Sequence, residues 1–66
     1  MNAMSRYERI ADQLEQVRAD LDEASFDLLQ QAVADGATSR PAADRTLTQA
    51  RRAVEKAVVL LRSIEG

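Results

Sequence analysis

The sequence predicts an all-α protein: an antiparallel two-helix hairpin that dimerises into a four-helix bundle. Three observations predict it. Apolar residues recur at three- and four-residue spacing along two runs: Tyr7, Ile10, Leu14, Val17, Leu21, Ala24 and Leu28, then Leu47, Ala50, Val54, Ala57, Leu61 and Ile64. Such spacing lines one stripe of a helix, the seam of paired helices. The one strong break, Asp-Gly-Ala-Thr-Ser-Arg-Pro at 35–41, falls between the runs. Apolar side chains also spread beyond both seams, further than one partner helix covers.

Taken in order, Asn2 and Ala3 before Met4 read as an expression remnant. The expected native start is Met4, and residues 1–4 are expected to be unstructured. Residues 5–66 then form one domain. Ser5-Arg6-Tyr7-Glu8 fits the capping box, in which a Ser and a Glu three positions later satisfy exposed backbone N–H groups. No Gly or Pro follows until Gly36, so the first helix is expected over about 5–35. Gly36 suits the left-handed residue that closes a helix, with Ala37 returning to Ala32 in a Schellman arrangement. Pro41 disfavours helical dihedrals at Arg40, which places the second helix at about 41–64. Asp44 in its first turn complements the positive end of the helix dipole.

Aligned about the turn, the seams bring Leu28 beside Leu47, Leu21 beside Val54, Leu14 beside Leu61 and Ile10 beside Ile64. The charges agree with folding back. Residues 1–35 hold eight acids against three arginines, and residues 36–66 hold six bases against three acids, within a total of −2. Unlike halves attract, although exposed pairs contribute only about 0–1 kcal/mol each.

A chain of 66 residues is near the lower limit for folding alone. It has no Cys and no His, hence no disulfide and no thiolate or imidazole ligand. Association is the remaining route to stability. Phe26, Leu29 and Val33 on the first helix, with Val58, Val59 and Leu60 on the second, fall outside the seam and are the expected oligomer interface. The expected partner is a second copy, in a homodimer.

Catalysis has little to rest on. Ser5, Ser25, Ser39 and Ser63 lack an activating base. The acids Asp20, Asp22, Glu23 and Asp27 miss an EF-hand pattern, because Ser25 stands where the turn glycine is required. No cofactor, metal or enzymatic activity is expected. Arg45, Arg52 and Lys56 on the second helix are candidate phosphate contacts for a weak nucleic-acid binder. The net acidic charge and only two aromatics, Tyr7 and Phe26, disfavour that reading. The longest apolar run, Ala57–Leu61, is five residues against the roughly 20 of a membrane span. A cytoplasmic protein without membrane contact is expected.

The segment Tyr7-Glu8-x-Ile10-x-x-x-Leu14-Glu15-x-Val17-x-x-x-Leu21-Asp22 resembles the opening helix of the exonuclease VII small subunit. That resemblance implies a short helical chain without a catalytic site, acting through a larger partner. It covers about sixteen residues. The family turns at a Gly soon afterwards, whereas this chain continues to Gly36 and Thr-Ser-Arg-Pro. An accessory subunit of a larger protein is therefore the alternative to self-association.

Overall fold

Two helices, joined by a tight turn, lie against each other along most of their length in the computed structural model, which describes residues 5–39 and 41–64. The expected unstructured segment 1–4 lies outside the described residues. Helix α1 spans Arg6–Ala34 (29 residues) and helix α2 spans Ala42–Arg62 (21 residues). No strand occurs among the described residues.

Each end of α1 is closed by the residue chemistry at that point. Ser5 is extended (φ −66°, ψ 161°), and its hydroxyl accepts from the Glu8 N–H at 3.1 Å. This satisfies one of the N–H groups that the first turn leaves without a carbonyl. At the other end Gly36 adopts φ 84°, a backbone region that costs an L side chain about 1–2 kcal/mol. The Gly36 N–H donates to Val33 O (3.0 Å) and the Ala37 N–H to Ala32 O (2.9 Å), the two bonds of a Schellman cap.

Pro41 sits just before α2 rather than as its first residue, with φ −59° and ψ 147°. Its carbonyl accepts the Asp44 N–H at 3.0 Å. Helix α2 ends at Arg62, two residues short of the expected Ile64. There Ser63 competes for the final carbonyls, its hydroxyl donating to Leu60 O at 2.6 Å.

Asp22 stands opposite Arg51 and Asp12 opposite Arg62, so the helices are antiparallel. The molecule is a rod of 54 × 19 × 10 Å. Its radius of gyration is 15.8 Å, against about 11 Å for a compact chain of this length. Its accessible surface of 5394 Å² exceeds the roughly 4200 Å² of a typical folded monomer of equal mass.

Burial is correspondingly thin. Ala11 and Val58 are the buried apolar residues, Asp44 is the buried charged one, and no large side chain is fully buried among the described residues. The contact between the helices also differs from the expected seam by one flank. On α1, Ala11 is buried while Ile10 is exposed, Arg18 is half-buried while Val17 is exposed, and Ser25 is half-buried while Ala24 is exposed. On α2 the buried flank is Asp44 and Val58, with Arg51 half-buried between them. Leu14, Leu21, Leu28, Leu47, Val54 and Leu61 remain along the contact, each half-buried. Each helix is therefore turned by roughly 50° from the expected facing, one step in a seven-residue frame.

The physical reason is the chemistry of the two edges. The edge that meets the partner helix carries Ala11, Ser25 and Ala32, small enough for close approach. It is also the edge next to the charges that pair across the hairpin. Tyr7, Ile10, Val17 and Ile64, expected in the seam, are 42, 36, 42 and 46% exposed. Val58, expected at an oligomer interface, is instead 5% exposed and lies between α1 and α2.

Candidate functional site

Because the helices are antiparallel, equal steps round each one from their contact lead to the same side of the hairpin. One side collects charge. Arg51 Nε lies 2.7 Å from Asp22 Oδ1 and Arg51 Nη2 lies 3.3 Å from Glu55 Oε1. Arg62 Nη2 donates to Asp12 Oδ1 at 3.0 Å. Arg18 reaches both Asp22 (3.2 Å) and Glu15 (3.4 Å). The Arg51 Nε atom is shut off from water and forms no hydrogen bond, so its pairing with Asp22 is one of charge and proximity rather than aligned donation. These side chains are roughly one-third to one-half exposed, which limits each pair to about 0–1 kcal/mol.

The opposite side is apolar. Helix α1 contributes Ile10, Val17 and Ala24; helix α2 contributes Ala50, Ala53, Ala57 and Leu60, and Ile64 follows its end. The half-buried leucines of both helices line the trough between them. Of the residues expected in the seam but left exposed, Ile10, Val17 and Ala24 fall on this side, and Tyr7 continues the line of Leu14, Leu21 and Leu28. Leu60, expected at an oligomer interface, falls there too and is 56% exposed. The hairpin therefore has one charged side and one apolar side.

Other expected interface residues lie elsewhere. Phe26 and Val33 are 60 and 74% exposed on the outer side of α1 near the turn, and with half-buried Leu29 they line a shallow depression. Asp22, Glu23 and Asp27 border its far end at Phe26. Val59, 67% exposed, stands alone on the outer side of α2. Arg45, Arg52 and Lys56 are exposed on that outer side and take part in no ion pair among the described residues.

Charge pairing across the hairpin was the signal that locates the apolar side. Asp12 with Arg62 and Asp22 with Arg51 mark one edge of each stripe as the charged side, which leaves the other edge for burial. No helix among the described residues is long and apolar enough to cross a membrane. No group of three or more His, Cys, Asp or Glu is placed to hold a metal ion among the described residues. A scan against protein-family models and searches of curated proteins and of solved structures find no match to this chain.

Proposed function

We propose that the protein is a non-catalytic helical interaction module that self-associates, two hairpins burying their apolar sides to complete a four-helix bundle. The observation that carries this reading is the apolar trough on one side of a hairpin that encloses no large side chain among its described residues. Burying a Val, Leu or Ile side chain contributes about 1.5–3 kcal/mol, and a second copy supplies that burial for both chains at once.

Val17→Glu and Leu60→Glu test it. Both positions are exposed in the single hairpin, so the helices tolerate the change while the trough does not. Each substitution enters a symmetric dimer twice. The expected loss of about 1.5 kcal/mol per site weakens dimerisation at least about 100-fold in analytical ultracentrifugation. An unchanged association constant for both variants rejects the trough as the interface.

A second reading is favoured by Phe26, Leu29 and Val33, which a copy docked on the trough leaves uncovered. An apolar patch ending beside Asp22, Glu23 and Asp27 suits a basic amphipathic segment of a larger protein, as in an accessory subunit. Weak nucleic-acid contact through Arg45, Arg52 and Lys56 is the least supported reading. It requires binding to short DNA or RNA that falls steeply with salt and with Arg52→Glu.

A further inference from the structure

We infer that the depression at Phe26, Leu29 and Val33 receives one basic amphipathic helix of a partner protein. This rests on the second reading above and fixes the form of the partner segment. Spacing sets that form. Phe26, Leu29 and Val33 stand at i, i+3 and i+7, the interval at which one helix lays its apolar side along another. Phe26 and Val33 are the most exposed large apolar side chains of α1, and α1 alone lines the depression. An extended segment turns its side chains to one face at every second residue, an interval this row does not match.

Charge sets the sign of the partner. Residues 19–35 hold Asp20, Asp22, Glu23, Asp27 and Asp35 with no Lys or Arg. Asp22 is met by Arg18 and Arg51. Glu23 and Asp27, which border the depression, take part in no ion pair among the described residues. The last turn of α1 also lacks the base that would offset the negative end of the helix dipole. An apolar surface in so one-sided a field favours Lys and Arg beside the apolar row of its occupant and rejects acids.

A second copy of this chain does not meet both requirements. Patch against patch across a two-fold axis brings two acid-rich surfaces together. The outer side of α2 has the right charge in Arg45, Arg52 and Lys56, but it carries Val59 alone and no apolar row. The occupant is therefore a different protein.

Fluorescein-labelled peptides of about 14 residues, two heptads long, test this by anisotropy against the full chain. One carries Leu at helical spacing among Lys. Another has the same composition with Leu at alternate positions, and a third replaces each Lys of the first by Glu. The first is expected to bind saturably, at least about ten-fold tighter than either of the others. Phe26→Ser with Val33→Ser is expected to weaken it at least about ten-fold, with helicity by circular dichroism unchanged because both positions are exposed. Equal binding of the two Lys peptides overturns the helical form and leaves a basic segment standing. Three results overturn both: equal binding of the Glu peptide, Lys-peptide affinity that survives the double substitution, or no saturable binding at low salt. Weaker self-association of the double variant in sedimentation assigns the patch to a second copy and likewise overturns the inference.

Discussion

Ser5 and Gly36 show how single residues set the limits of α1. The hydroxyl of Ser5 holds the Glu8 N–H at 3.1 Å, and replacing it by Ala is expected to lower stability by about 1 kcal/mol in urea unfolding. Gly36 makes a different contribution. A methyl group added there meets nothing within 4 Å, so Gly36→Ala isolates the strain of φ +84° from any clash. The expected loss is again about 1 kcal/mol, and Gly36→Asn, which tolerates that backbone region better, should lose less. Equal losses for the two variants would show that backbone strain is not what the glycine relieves. Both roles were legible in the sequence, because a capping box and a glycine followed by a proline have local meaning that tertiary structure seldom overrides. Asp44 was not. Its position in the first turn of α2 suggested a dipole partner, whereas the structure also turns it inward to 7% exposure, a consequence of how α2 rotates.

At the scale of the helix, the existence of two runs and the turn between them followed from periodicity and from Gly36 and Pro41. Their rotation did not. Each stripe is three positions wide, with Leu14, Leu21 and Leu28 in the middle of α1 and Leu47, Val54 and Leu61 in the middle of α2. Hydrophobic spacing alone does not say which edge of such a stripe meets the partner helix. The edges differ in other chemistry: Ala11, Ser25 and Ala32 permit close approach, and Arg51 and Arg62 find Asp22 and Asp12 on that side. Ala11 is fully buried at this contact, so a larger side chain has nowhere to go. Ala11→Leu is expected to force the helices apart and cost about 1–3 kcal/mol. By contrast Asp22→Asn, which weakens two partly exposed ion pairs, should change stability by less than about 1 kcal/mol. A reversed ranking of these two variants in thermal unfolding would mean that charge, and not close packing, holds the hairpin together.

For the whole molecule, shape and burial point the same way. A 54 Å rod only 10 Å deep has little interior, and Ile10, Val17 and Leu60 lie exposed on one side instead of enclosed. The expectation that these residues exceed what one hairpin covers came from the sequence, and so did Leu60 as part of the uncovered surface. Its detailed composition could not, because it depends on the rotation of both helices: Val58 turns inward, while Ile10, Val17 and Ile64 turn outward. Phe26 and Val33 remain as a separate patch at the turn, which Phe26→Ser with Val33→Ser should remove without altering self-association.

The most direct test of the account is sedimentation of the unmodified chain from high to low micromolar concentration, with helicity followed at each step. A dimer that dissociates on dilution and loses thermal stability as it does so is the expected result, since folded hairpins stabilise one another by mass action. A chain that stays monomeric at every concentration while melting cooperatively at an unchanged temperature would contradict it.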